Sequence, residues 1–165
     1  MKLSVFLKRS RSKSAWIEIM KFRSLAAILC GAAIFSSSIC FATVSDDKVA
    51  LGKLSPGISA DELIAICGQP TYRDGDDWVY STFKADIERG IVEKISTRSE
   101  TIATIDGVRV GQAAEVLNTS YGKADKVDRD YDDTEYIYYN NSRTKKIEFE
   151  VVNGVIVKIS CELKD

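Results

Sequence analysis

Carboxylates are the densest group of side chains that could do chemistry in this sequence. Six lie close together, at Asp125, Asp128, Asp130, Asp132, Asp133 and Glu135. Three of them alternate as in the first half of an EF-hand calcium loop, but the loop's sixth position would be Asp133 instead of Gly, and its twelfth would be Tyr139 instead of Glu. The pattern therefore favours a solvated hairpin turn over a calcium site, and we predict no metal or other cofactor.

The sequence contains no histidine, so it lacks the commonest general base, the commonest zinc ligand and every Ser-His-Asp or Cys-His device. Paired carboxylates catalyse glycoside hydrolysis only when an apolar pocket raises the pKa of one of them. Here Lys126 and Arg129 lie among the acidic residues instead. Cys67 has no histidine to activate it as a nucleophile. We therefore predict that the protein is not an enzyme.

Aromatic residues beside two acidic turns are better candidates, because Tyr and Trp often anchor protein interfaces. One turn is followed by Trp-x-Tyr and the other by Tyr-x-Tyr-Tyr. The ten candidate interaction residues are Asp74, Asp76, Asp77, Trp78, Tyr80, Asp132, Asp133, Tyr136, Tyr138 and Tyr139.

The strand face on which these aromatics lie has two interpretations. Trp78 and Tyr80 alternate, so they share one face, as do the tyrosines that follow the second turn. If this is the core face, then Val79, Ile137 and Tyr139 point outward and make the exposed sheet apolar. In either register, one face of the sheet is free to dock a partner.

Two helices are predicted to precede these strands. Ser59 and Glu62 form a capping box ahead of an apolar stripe with helical spacing, and Gly68 ends that helix. A second apolar stripe runs from Gly111 and ends at Gly122. After each helix the apolar period falls to two, which is typical of strands.

The last strands give the clearest pattern. Apolar residues alternate with charged ones up to Val151, Asn153-Gly154 is a strong hairpin signal, and alternation then resumes. The apolar positions predicted to share a face after the turn are Val155, Val157, Ile159 and Cys161. One apolar and one polar face is typical of an antiparallel sheet covered on one side by helices.

Two stretches of the chain match each other. Residues 90–96 match residues 154–160, and residues 63–68 correspond to residues 117–122. We therefore predict an α+β fold of two tandem helix-plus-antiparallel-meander repeats, 43–104 and 105–165, with the helices packed on one face of the sheet.

Residues 1–42 are predicted to be a leader and signal peptide. Lys21 and Arg23 precede an apolar stretch that ends in small residues, so cleavage is expected after Ala42, and Met20 is the expected true start. A membrane anchor is the alternative, but the apolar part is shorter than the roughly 20 residues that a spanning helix needs. We expect export to the periplasm, the cell envelope or the extracellular space, with no stable membrane anchor after cleavage.

Cleavage changes the charge of the chain. Seven of the 23 basic and one of the 24 acidic residues precede residue 43, which leaves 16 basic and 23 acidic residues, a net charge of −7. This charge disfavours nucleic acid and anionic membranes, and it permits electrostatic steering toward a basic protein partner. The sequence does not indicate an oligomeric state.

Cys67 and Cys161 are the two cysteines that follow the leader. An even pair in an exported domain is most simply a disulfide, and both residues lie on predicted apolar faces. The alternative is a pair of buried free thiols.

The whole pattern is a helix ending in Gly-Gln-Pro or Gly-Lys-Ala, an acidic turn, an aromatic strand and a final Gly-Val-Ile-Val-Lys-Ile-Ser strand. It resembles the SmpA/OmlA (BamE-like) group and, in tandem, the beta-lactamase inhibitor protein, over roughly Leu51 to Leu163. The resemblance implies non-enzymatic binding, as a scaffold or an inhibitor, and no binding residue is carried over.

We therefore expect an exported protein–protein interaction module of the cell envelope. The alternative is a carrier of a small apolar ligand or lipid between helices and sheet. A cavity lined by Leu63, Ile66, Leu117 and Phe149 would favour the carrier.

Overall fold

The structure is a computed structural model, and it describes residues 44–164. The predicted leader, its start at Met20 and the cleavage after Ala42 lie outside these residues. A short 3-10 turn spans Asp46–Lys48, helix α1 spans Ala60–Cys67 and helix α2 spans Glu115–Tyr121. The strands are β1 (Tyr72–Asp74), β2 (Asp77–Val79), β3 (Lys84–Glu88), β4 (Ile91–Thr97), β5 (Lys126–Arg129), β6 (Thr134–Tyr139), β7 (Lys145–Val152) and β8 (Val155–Leu163).

All eight strands form one antiparallel sheet in the order β1-β2-β3-β4-β8-β7-β6-β5. The prediction of two tandem helix-plus-meander repeats is therefore wrong. The two matching stretches of sequence pair with each other as β4 and β8, with Ser96 opposite Ser160, so the strands join into a single sheet. The helices are only eight and seven residues long, and the sheet dominates the fold. Local patterning predicts which residues share a face, but it does not show which strand edges pair.

Helix α1 forms as its local sequence predicts. The Ser59 hydroxyl accepts a hydrogen bond from the Glu62 backbone N–H at 3.1 Å, which satisfies one of the free donors of the first turn. Gly68 ends the helix with a φ of +78°, a conformation that favours glycine. Leu63 of this helix is fully buried, and it packs the apolar side of the helix against the core.

The hairpin of β7 and β8 turns at Asn153-Gly154 as predicted, with Val152 opposite Val155. The predicted alternation in β8 is wrong at its start, because the register shifts between Glu150 and Val151. Such a bulge places an extra residue in one strand and changes which side chains face inward. Ile156 is consequently fully buried, whereas Val155 is 40% exposed.

One contiguous core lies against the inner face of the sheet, the face that carries Ile95, Phe149 and Ile159. Both helices contribute to it, and so does the segment that precedes α1, through Val49, Leu51 and Leu54. Buried alternate positions such as Ala85, Ile87, Ile147 and Val151 complete it. The opposite side of the sheet, called the outer face below, carries the charged alternate positions of β3, β4, β7 and β8. Within residues 44–164, the helices therefore lie on one side of the sheet only.

No helix within residues 44–164 combines the length and the apolar content needed to cross a membrane.

Candidate interaction surface

A chain of ion pairs crosses the middle of the outer face. The Lys146 ammonium lies 2.6 Å from a Glu148 carboxylate oxygen and 2.5 Å from a Glu162 oxygen, and Lys94 lies 2.5 Å from the other Glu162 oxygen. These groups meet because β4, β8 and β7 place Lys94, Glu162 and Lys146 directly opposite one another. The outer face is therefore ordered by cross-strand pairs of opposite charge.

Hydrogen bonds within this network of ion pairs set the protonation states of Glu162 and Lys146. Burial alone would raise the pKa of Glu162, but the hydrogen bonds from Lys146 and Lys94 lower it. Burial alone would lower the pKa of Lys146, and its bonds to Glu148 and Glu162 raise it instead. Glu162 and Lys146 are consequently held in their charged forms.

A groove of about 640 Å³ lies at one end of the outer face, where β3 begins and β4 ends, and it is called the outer groove below. Its wall at the β2–β3 loop contains the rings of Tyr80 and Phe83, which stack with centroids 4.4 Å apart. Its lining residues are Asp77, Tyr80, Ser81, Thr82, Phe83, Lys84, Asp86, Lys94, Ser96, Thr97, Arg98, Ser99 and Lys158.

The charges of the outer groove are unevenly balanced. Lys84 pairs with Asp77 at 2.8 Å. Arg98 and Lys158 share a single carboxylate, Glu150, at 3.1 and 3.5 Å. Glu150 therefore neutralises Arg98 and Lys158 only in part, and the Arg98 side chain is 61% exposed. Sequence reasoning missed this groove, because its basic residues come from three separate strands.

The first aromatic cluster packs toward the core. Trp78 is half-buried beneath the Arg73 guanidinium, whose carbon lies 3.9 Å from the ring centroid. Tyr80 is half-buried, and its hydroxyl donates to the Gly68 carbonyl oxygen at 3.3 Å. These contacts hold the end of α1 on the β2–β3 loop.

The second aromatic cluster divides between the two faces. Tyr138 is 1% exposed and Tyr136 is half-buried, and both lie against the core. Tyr139 lies on the outer side, where the Arg143 guanidinium carbon is 4.5 Å and the Lys164 ammonium is 5.3 Å from its ring centroid. The core-facing interpretation of the alternating aromatics is therefore correct, and Tyr138 is not available to a partner.

The outer positions are less apolar than this interpretation predicted. Ile137 faces outward but is only 4% exposed, since it lies between Lys126 and Glu148 on the neighbouring strands. Val79 is half-buried. Long charged side chains therefore cover most of the apolar surface on this side.

The two predicted acidic turns are exposed hairpin tips. The first tip joins β1 to β2, and its Asp74 and Asp76 are exposed, whereas Asp77 pairs with Lys84. The second tip, residues 130–133, joins β5 to β6, and the Asp130 backbone N–H donates to the Asp133 carbonyl oxygen at 3.1 Å. Asp132 is exposed at this tip. Burial and the neighbouring aspartates raise the pKa of Asp133.

Tyr131 at the second tip is a further candidate that sequence reasoning missed. Its side chain is fully exposed, and within residues 44–164 it makes no hydrogen bond or ring contact. Its position between Asp130 and Asp132 was the signal available in the sequence. An aromatic ring at the end of an acidic hairpin tip adds an apolar anchor to the charge.

The acidic run does not form a metal centre in the described part of the chain, where no group of three or more carboxylate or thiol side chains is placed to hold an ion. Asp128 instead pairs with Lys126 at 2.6 Å. An Asp125 oxygen accepts from the Tyr139 backbone N–H at 2.9 Å. These carboxylates support the hairpin.

The predicted disulfide between Cys67 and Cys161 is wrong, because both are free thiols. Cys161 is fully buried in β8, opposite Ile95 and Ile147, whereas Cys67 is half-buried at the end of α1. Burial raises the pKa of both thiols, so neither is activated. Both cysteines lie against the same core, but their sulfur atoms do not form a bond.

The residues expected to line a carrier cavity do not share one. Leu63, Leu117 and Phe149 are buried in the packed core, while Ile66 is 46% exposed. The geometry thus gives the carrier alternative no specific support.

Comparison with solved structures shows the fold alone. A DUF4309 family protein, YjgB, from Bacillus subtilis is similar with a TM-score of 0.50 and 15% identity, over 70% of this chain and 85% of that chain. An extracellular protein containing an SCP domain from Bacillus anthracis gives a TM-score of 0.48 and 10% identity, over 74% of this chain and 48% of that one. No protein-family model and no curated protein sequence matches the chain. The resemblance to the BamE-like group and the beta-lactamase inhibitor protein is not confirmed.

Proposed function

We propose that the protein is an exported, non-enzymatic protein–protein interaction module of the cell envelope, which acts as a scaffold or as an inhibitor of its partner. The observation that carries the proposal is the one-sided sheet. Its inner face is closed by the core, and its outer face presents an ordered charged surface bordered by two acidic hairpin tips.

The chemistry of the exposed carboxylates supports binding more than catalysis. Most of those on the outer face are paired with Lys or Arg. Glu135 forms no ion pair among the described residues, and partial burial and the Glu148 carboxylate raise its pKa. It lies on the sheet opposite Glu150 and not in an apolar cleft, so it lacks the pocket that acid–base chemistry requires.

The two tips favour a partner that is basic where they touch it. Asp74, Asp76 and Asp132 are exposed and have no ion-pair partner within the described residues. A basic surface would neutralise them, and the overall negative charge would speed the encounter. Rim charges of this kind act mainly on association rate and specificity.

Affinity capture from an envelope extract tests the proposal. The bait is the exported protein, purified after expression of the full chain and immobilised, with N-terminal sequencing of the same material to test cleavage after Ala42. The matched baits carry Asp74→Asn with Asp76→Asn, and Asp132→Asn with Asp133→Asn. We expect a saturable protein partner that wild type retains and that one or both neutralised baits lose.

Two results would count against the proposal. One is a partner retained equally by all three baits, since that would exclude the tips from the contact. The other is capture of no protein above background together with a co-purified lipid in mass spectrometry, which would favour the carrier.

A further inference from the structure

We propose that the outer groove binds the second acidic tip of another copy of this chain, so that two copies associate through a reciprocal pair of tip–groove contacts. The inference does not depend on the envelope partner proposed above. It rests on the charges, the aromatic side chains and the relative placement of the two features.

The charges of the two features are complementary. Lys84, Lys94, Arg98 and Lys158 line the outer groove together with only two carboxylates, Asp77 and Asp86. The tip carries three aspartates in four residues, at 130, 132 and 133, and none of them forms an ion pair within residues 44–164. Lys94 also pairs with Glu162, and Arg98 and Lys158 share Glu150, so Arg98, with a side chain 61% exposed, is the cation of the groove most open to an acidic tip.

The apolar parts match as well. Tyr131 extends fully into solvent from the tip. One wall of the outer groove is the stacked pair Tyr80 and Phe83, in which Phe83 is only 7% exposed, so the half-buried Tyr80 ring is the part of the wall that a partner can reach. A ring that packs against this wall would give the contact an aromatic anchor surrounded by ion pairs, an arrangement common at interface hot spots.

The placement allows the contact to be reciprocal. In the sheet register, Lys158 lies opposite Glu150, and Glu150 lies opposite Glu135, which begins just after the tip. The tip and the outer groove therefore lie at the same end of the sheet. β6 and β4 are separated by two strands, so about 14 Å divides them at the usual strand spacing. One two-fold axis between them can place each tip at the groove of the other copy, which closes the assembly as a dimer.

Sedimentation velocity over a wide range of concentrations, with the exported protein, measures the association. We expect the mass to rise from monomer toward dimer, and the dissociation constant to weaken on the order of tenfold between 50 and 500 mM NaCl, because salt screens the attracting charges. A dimer that strengthens with salt would overturn the proposal, since repulsion between the two net charges would then dominate. A monomer at every concentration would also overturn it.

Charge reversal gives the sharper test. One variant reverses the tip (Asp132→Lys with Asp133→Lys) and a second reverses the groove (Lys84→Glu with Arg98→Glu). Each should remain monomeric alone, because its tip and groove now repel each other. An equimolar mixture should dimerise again, since both of its contacts join opposite charges. Circular dichroism verifies that each variant folds.

The first tip supplies the matched control. Asp74→Lys with Asp76→Lys changes the same amount of charge on the other acidic turn, so it should leave the dissociation constant within about threefold of wild type. Tyr131→Ser should weaken association roughly tenfold or more without changing its salt dependence. Failure of the mixture to restore the dimer, or equal loss with the control variant, would refute the tip–groove contact.

Discussion

Asn140 connects the beginning of the described chain to the turn between β6 and β7. Its side chain is 1% exposed. The amide oxygen accepts from the backbone N–H groups of Thr144 and Lys145, at 2.9 and 3.0 Å. The amide nitrogen lies 2.6 Å from an Asp46 carboxylate oxygen and 3.0 Å from the Ser142 hydroxyl. We predict that Asn140→Ala severely destabilises the fold.

The magnitude follows from the groups that the substitution leaves without partners. Two backbone N–H groups lose their acceptor, at about 1–3 kcal/mol each when water does not replace it. The Asp46 carboxylate loses a charge-assisted bond, which is discounted because its side chain is 63% exposed. Water can reach the exposed Thr144, so we expect a loss of about 3 kcal/mol of unfolding free energy. That is a large share of the roughly 5–15 kcal/mol of a typical domain.

Urea unfolding of the purified wild-type protein and of Asn140→Ala measures this loss. The midpoint should fall while the slope of free energy against urea stays constant, and the melting temperature should drop by about 10 °C. Ser142→Ala is the control, because it removes a partner of the same amide at an exposed position and should change stability by less than about 0.5 kcal/mol. A loss below about 1 kcal/mol for Asn140→Ala would show that the reasoning about unsatisfied N–H groups fails here.

Four other perturbations have definite expected outcomes. Lys146→Met leaves the partly buried Glu148 without an ion-pair partner among the described residues and leaves Glu162 with Lys94 alone, so it should cost about 2–3 kcal/mol in urea unfolding. A thiol reagent should label Cys161 only after unfolding and Cys67 slowly before it, and a mass lower by two hydrogens that a reductant restores would contradict the free thiols. Tyr121→Phe should leave the unfolding free energy unchanged or raise it by up to about 1 kcal/mol, since the buried hydroxyl has no hydrogen-bond partner among residues 44–164. Hydrogen bonds from Lys145 and Asn140 lower the pKa of Asp46 in the folded protein. The charged Asp46 therefore stabilises the fold above its unfolded-state pKa of about 3.9, and this stabilisation is lost as the pH falls through the lower folded-state pKa. Asp46→Asn should therefore match the stability of wild type only in strong acid.

The elements predicted correctly from the sequence are those whose signals are local. The Ser59 N-cap bond and the Asn153-Gly154 turn depend on residues a few positions apart, and both form as expected, although the reciprocal Glu62 side-chain bond of the predicted capping box is not seen among the described residues. The pairing of β4 with β8 joins residues more than 60 positions apart, and no local pattern indicates it. That single pairing joins the strands into one eight-stranded sheet, where two tandem helix-plus-meander repeats were expected.

The β8 bulge shows a second limit of pattern analysis. Val155 and Val157 continue the apolar period of two, yet the structure buries Ile156 between them. The three residues are similarly apolar, so hydrophobicity alone does not distinguish the registers. Packing across the sheet selects the register, because a shift of one residue turns the side chains of the strand to the opposite face.

The candidate surface was only partly predictable for a related reason. The acidic tips are contiguous in sequence, so composition indicated them directly. The outer groove collects Lys84, Arg98 and Lys158 from three strands, and their proximity appears only when β3, β4 and β8 are aligned.

The sign of the charge that a binding partner must present therefore differs between patches of this molecule. The net charge of −7 over residues 43–165 favours a basic partner, but that inference applies to the hairpin tips, where Asp74, Asp76 and Asp132 lack ion-pair partners in the described chain. On the outer face, cross-strand pairing neutralises most carboxylates, and Arg98 and Lys158 share only Glu150. A protein that contacts both patches must present both signs of charge at fixed separation. Such a requirement is more selective than attraction to one charged surface, because a uniformly basic partner would be repelled at the groove.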